Sequence, residues 1–110
     1  MKNFERIADG SGARRPSDYV SARANVTTSE QITVPAGAEL VILSGTLPFH
    51  VAFGANPTAT VPSDTDDGTA CELVNPATPD ASRTFMVTAG DKIAVAAPVA
   101  AAVTASFYKF

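Results

Sequence analysis

This sequence predicts an all-β fold: a single β-sandwich or jelly-roll-like barrel of about seven or eight short strands, preceded by an extended N-terminal arm. Three observations point there. Short runs rich in Val, Ile, Thr and Phe are punctuated throughout by Gly, Pro, Asp and Thr, the residues that turn or close strands. No segment sustains the i, i+3, i+4, i+7 apolar spacing of a well-supported helix. One turn is also used twice, since "VPAGAEL" at 34–40 aligns with "VTAGDKI" at 87–93, an offset of 53 positions.

Length and composition give one domain. A chain of 110 residues, 45% of them hydrophobic, can bury a core without disulfides or metal. Aromatics make up only 7% and Trp is absent, so Val, Ile, Leu, Ala and six Phe must fill that core, which suits thin strands with small gaps between sheets. Cys71 is the only cysteine, which excludes an internal disulfide, a CxxC pair and a cysteine zinc cluster, and fits folding in a reducing compartment. The first twenty residues carry charges where a signal peptide needs its apolar stretch, and no run approaches the ~18 apolar residues of a membrane span, so no membrane targeting is expected.

In chain order, residues 1–18 hold Gly10, Ser11, Gly12 and then Arg14, Arg15 and Pro16 without periodicity, and read as the arm; residues 19–110 read as the sandwich domain. "YVSARANV" (19–26) is an early or edge strand and "QITV" (31–34) a β-branched one. Pro35 closes it, having no N–H for a ladder, and Gly37 supplies a permissive backbone before "ELVILS" (39–44) resumes, the pattern of a hairpin. In "PFHVAFG" (48–54), Phe49, Val51 and Phe53 alternate with His50 and Ala52 and should face the core. Residues 55–69, "ANPTATVPSDTDDGT", are loop chemistry of a length more common in an interaction element than in a plain connector. "ACELV", "RTFMV", "KIAVAA" and "AVTASFYKF" complete the strands; alanine favours helix in the last region, but Pro98 and the β-formers after it favour strand. The offset of 53 carries on to place "HVAFG" (50–54) on "VTASF" (103–107), so two β units with equivalent turns on one rim are expected.

Charge is unevenly divided. Residues 1–23 carry five cations against three acids, whereas 24–110 carry three cations against eight acids. A mildly basic arm thus precedes an acidic body, suited either to solvation or to lying on an acidic neighbour such as another copy. Five spaced cations would neutralise too few phosphates for nucleic-acid binding.

Material for catalysis is scarce. His50 and Cys71 are the only members of a nucleophilic pair, and each sits in a strand, where a structural role is the commoner one. "DTDDG" (64–68) clusters carboxylates as a hard cation needs, but Gly68 falls where a helix-loop-helix calcium site wants a ligand and no Glu closes the loop; turn chemistry and solvation are the plainer reading. No phosphate-binding glycine loop, GxSxG or HExxH motif occurs. The expectation is a non-enzyme that binds or builds, with no cofactor and no metal.

Over roughly residues 30–110 the chain resembles small structural proteins of tailed bacteriophages, through "ITVPAG", "HVAFG" followed by "NPTAT", "VTAGDKIAV" and the terminal "VTASFYKF". The resemblance implies a β-sandwich that decorates or cements the head in many copies, bound to the major capsid protein and to neighbouring copies, within a virion assembled in the host cytoplasm. A tail or connector part is the alternative on the same resemblance, and a carbohydrate-binding module is a different class, disfavoured by the missing Trp platform. Partner contacts are expected at Arg6, Arg14 and Arg15 of the arm and at Asp64, Asp66 and Asp67 of the long loop.

Overall fold

Eight strands form in the computed structural model: β1 (Tyr19–Val26), β2 (Glu30–Thr33), β3 (Leu40–Gly45), β4 (Phe49–Gly54), β5 (Glu72–Val74), β6 (Thr84–Met86), β7 (Lys92–Ala96) and β8 (Ala101–Tyr108). The structure describes residues 16–61, 64, 66–76 and 83–109, and among these there is no α-helix. Every run expected to be a strand is one, including the alanine-rich last region.

The strands form two antiparallel sheets of four, in the orders β1-β8-β3-β6 and β2-β7-β4-β5. The first strand pairs with the last, the second with the seventh, the third with the sixth and the fourth with the fifth. The chain is therefore one long hairpin rolled up on itself, with residues 55–71 as its tip; the β3–β8 and β4–β7 pairs hold the roll together. This is the jelly roll, and it leaves β1, β6, β2 and β5 as edges. Arg23 crosses from the edge of one sheet to the other, donating from Nη2 to the Gln31 carbonyl at 2.7 Å with Glu30 at 4.0 Å from its Nε.

The repeated turn has a structural meaning that differs from the expected hairpin. β2 and β3 lie in different sheets, as do β6 and β7, so each turn is an arch between layers. The apolar residues flanking each turn bury against one another across the sandwich and leave the ladders to more distant strands. Ala38 N–H donates to the Pro35 carbonyl at 3.3 Å and Asp91 N–H to the Thr88 carbonyl at 3.1 Å, and Gly37 and Gly90 both have φ of 90°. A type II turn needs that positive φ at its third residue, which is why glycine stands in both places.

The two arches also bond to each other, Val34 N–H to the Asp91 carbonyl (2.9 Å) and Val87 N–H to the Glu39 carbonyl (3.0 Å). Exchanging the first four strands with the last four converts one sheet order into the other reversed, so the molecule is a pseudo-two-fold pair of interleaved units. The first arch contains one extra residue: Asp91 uses both its N–H and its carbonyl where the first arch uses Ala38 N–H and the Glu39 carbonyl. Beyond the turn the equivalence therefore drops to 52, matching Val41 to Ile93 and Leu43 to Val95, all buried. The expected alignment of "HVAFG" with "VTASF" is one residue out, because a single-residue slip in a strand exchanges its faces; inward Val51, paired with Val95, matches inward Ala105, paired with Leu43.

One core fills the space between the sheets, with Val26, Ile32, Val41, Leu43, Phe49, Val51, Val74, Ile93, Val95, Val103 and Phe107 all essentially inaccessible. Phe49 and Val51 face inward as expected. Phe53 shares that face but lies at the open end of the sandwich, 38% exposed, with its ring centroid 4.9 Å from that of Phe85 on the opposite sheet.

Candidate interaction surfaces

The two outer sheet faces differ. Along β7 and the residue after it, Ile93 to Ala97 are all buried, although alternation turns only Ile93, Val95 and Ala97 to the core. Ala94 and Ala96 face outward and are covered by the start of the 55–71 loop, forming a second small cluster with Ala59, Ala52 and Cys71. Hydrogen bonds fix the cover in place: Gln31 Nε2 donates to Asn56 Oδ1 (3.0 Å) and to the Pro57 carbonyl (2.9 Å), and Ala59 N–H donates to Ser29 Oγ (3.0 Å). The unbroken apolar run "IAVAA" carried this signal, since a strand buried on both faces loses its alternation.

The other sheet has no such cover from the described loop. Its inward residues Val41, Leu43, Val103, Ala105 and Phe107 are fully buried, so Val20, Ala22, Ile42, Thr104, Ser106 and Met86 line the outer side. Val20 is 54% and Met86 76% exposed. At one corner of this face Leu40 and Tyr108, directly opposite each other, are buried.

The ends of the roll differ as well. At the end holding both arches stand Asp18, Glu39, Asp91, Lys92 and Lys109, and the acidic loop leaves from the same end. At the opposite end the described turn residues, 27–29, 46–48, 75–76 and 97–100, include no charge. There Leu47 is 40% and Val99 62% exposed, with Pro48 and Pro98 also exposed beside them. These two turns are tied together by Thr46 N–H to the Ala102 carbonyl (3.0 Å) and Ala102 N–H to Thr46 Oγ1 (3.0 Å). Arg83 lies next to this rim, and its Nε is buried without a hydrogen-bond partner.

Of the residues expected to contact partners, Arg6, Arg14 and Arg15 lie outside the described residues. Asp64, Asp66 and Asp67 are exposed. Asp67 is engaged in its own turn: Oδ1 accepts from Thr69 Oγ1 (2.6 Å) and Thr69 N–H (3.1 Å) around Gly68. The Thr69 hydroxyl, and then its amide, hold the Asp67 carboxyl below its ordinary value of 3.8. The loop thus divides into a first part pinned to the sheet and an acidic part facing water.

Other chemistry is sparse among the described residues. A cavity of about 70 Å³ opens by the arches, lined by Val34, Phe53, Met86 and Val87 with Asp91 and Lys92, well short of the roughly 300 Å³ at which small-molecule sites begin. No group of three or more His, Cys, Asp or Glu side chains stands together there in a way that could hold a metal ion. His50 is 8% exposed on the covered face, its Nδ1 buried without a partner; Cys71, a free thiol, has Sγ 3.9 Å from Thr60 Oγ1. No protein family, curated protein or solved structure matches the chain.

Proposed function

We propose that this protein is a structural component of a tailed-bacteriophage virion, a decoration or cement protein that seats on the major capsid protein in many copies. The observation that carries the reading is the polarity of the roll: Asp18, Glu39, Asp91, Lys92 and Lys109 gather at the arch end, while the described turn residues of the opposite rim carry no charge and expose Leu47, Pro48, Pro98 and Val99. Depletion of charge around exposed apolar residues is the composition of an interface centre. Seated by that rim, the molecule turns its acidic end outward. Each contact is small, and a symmetric shell holds neighbouring copies at high effective concentration, so weak contacts add up. The basic arm, with Arg6, Arg14 and Arg15, reaches an acidic neighbour in this arrangement.

Immunogold labelling of virions with antibody to this chain is the direct test. Label distributed over the head is the expected result. Label confined to the tail or connector would move the protein there, and virions without label would remove it from the particle. Adding purified chain to undecorated heads then tests the rim: Leu47→Lys with Val99→Lys should abolish retention, and undiminished retention would exclude the rim as the seat. Deleting residues 1–18 should lower retention at raised salt.

A further inference from the structure

We propose that the cavity between the arches is a socket for the arm of a neighbouring copy: Ile7 of that arm enters it, with Arg6 and Asp9 on either side set against Asp91 and Lys92. The inference rests on the arm contact proposed above and names the surface that receives it.

The socket is open and apolar. Val34, Phe53, Met86 and Val87 line it, and within one chain Phe53 is still 38% and Met86 76% exposed. Phe53 stands against Phe85 of the opposite sheet at 4.9 Å between ring centroids, which fixes one wall, while Met86 supplies a side chain that adapts to what enters. Its volume of about 70 Å³ is near half of the roughly 150 Å³ of an apolar cavity that holds benzene, so it takes one aliphatic side chain and not a ring.

The margin of the socket carries two opposite charges that the chain leaves unused. Asp91 and Lys92 are both half-buried, and among the described residues neither side chain makes a hydrogen bond or an ion pair. A half-buried charge gains more from a partner than an exposed one, because less water screens the pair. The matching occupant therefore presents an aliphatic residue between charges of both signs. Residues 5–9, "ERIAD", do so, with Ile7 between Arg6 and Asp9. Residues 1–15 lie outside the described residues, and the match is of sequence to socket.

Reach allows the contact. β1 starts at the arch end, since Tyr19 pairs with Phe107 beside Tyr108, whose carbonyl accepts the Glu39 N–H of the first arch at 2.9 Å. Ile7 lies nine residues before Pro16, up to roughly 30 Å of extended chain, and the molecule measures 28 and 27 Å across its two shorter axes. Copies seated side by side by the opposite rim hold their arch ends level and one molecular width apart, within that reach. A single buried aliphatic side chain is a weak contact alone, and repetition over neighbours makes it hold.

Disulfide trapping between two purified full-length chains tests the contact, because a covalent bond accumulates a weakly populated pair. Both chains carry Cys71→Ser; one adds Ile7→Cys, and the other adds Met86→Cys or, as a control on the opposite rim, Val99→Cys at a position 62% exposed. The mixed disulfide to Met86→Cys should form at least about fivefold faster than that to Val99→Cys. Arg6→Glu in the first chain should slow it about threefold, and Asp91→Arg in the second should restore it. Thermal unfolding checks that every chain is folded. Equal rates to Met86→Cys and Val99→Cys overturn the socket, and a slowed rate that Asp91→Arg does not restore overturns the seating of Ile7 between Arg6 and Asp9. Virions without label would remove the shell and leave the trapping result standing, whereas equal rates would remove the socket and leave a labelled head standing.

Discussion

The two outer faces of this roll are built on equivalent sheets and have opposite fates. One is sealed by the chain's own loop, so that Ala94 and Ala96 become interior residues; the other keeps Val20 and Met86 exposed. The difference comes from connectivity. The fourth strand is followed by a segment that folds back over its own sheet and sets Ala59 on Ala94 and Ala96.

The largest effect that would break this comparison comes from placing a charge on each face. Ala94→Asp puts a carboxylate beneath the 55–60 segment among Ala52, Ala59 and Ala96, and should cost about 3 kcal/mol or more or prevent folding. Ala22→Asp, on the open face, should change stability by no more than about 0.5 kcal/mol. Urea unfolding measures both, and equal costs would mean that the faces are not distinct.

The pseudo-symmetry is tested next. Gly37→Ala and Gly90→Ala each force a side chain into a positive φ at the same turn position, and each should destabilise by about 1–2 kcal/mol. Chemical denaturation should give similar values for the two. A loss at one arch only would show that the equivalence is geometric and carries no shared energetics.

A smaller effect belongs to the loop's tether. Gln31→Ala removes both bonds to Asn56 and Pro57 and should cost about 1 kcal/mol. Its sharper signature is local: amide exchange at Ala59 should accelerate, while exchange in β8 stays unchanged.

How much of this could be read from the sequence depends on range. Strands declare themselves locally, through β-branched runs bounded by Pro35, Gly37, Pro48 and Gly90, and all eight were legible. The twin arches were legible as a motif but not as arches, because whether strands flanking a turn pair or separate depends on the partners β6 and β8, far along the chain. The single extra residue in the first arch was invisible too: alternation survives it, and only burial shows which phase faces inward. The rim could be listed as turns, but that Leu47 and Val99 share one end requires strand direction. Asp64, Asp66 and Asp67 read in the sequence as one charge cluster, and only the fold separates the carboxylate that holds its own turn from those that face water.

That separation gives the smallest effect and a measurable one. Thr69 donates twice to Asp67, and both bonds are stronger to the ionised carboxylate than to the neutral acid, so the folded carboxyl is held below 3.8. The sign follows: the turn's contribution is fully present above 3.8 and is lost only as pH falls through the lower folded value. Because Asp67 is fully exposed, the consequence is local order and not global stability. The Thr69 amide resonance followed by NMR should titrate with a midpoint below 3.8, and Asp67→Ala should abolish that titration while leaving the Ala59 amide as protected as before. A midpoint at or above 3.8 would mean the turn does not persist in solution, and a parallel change at Ala59 would show that the exposed and pinned parts of the loop act as one unit.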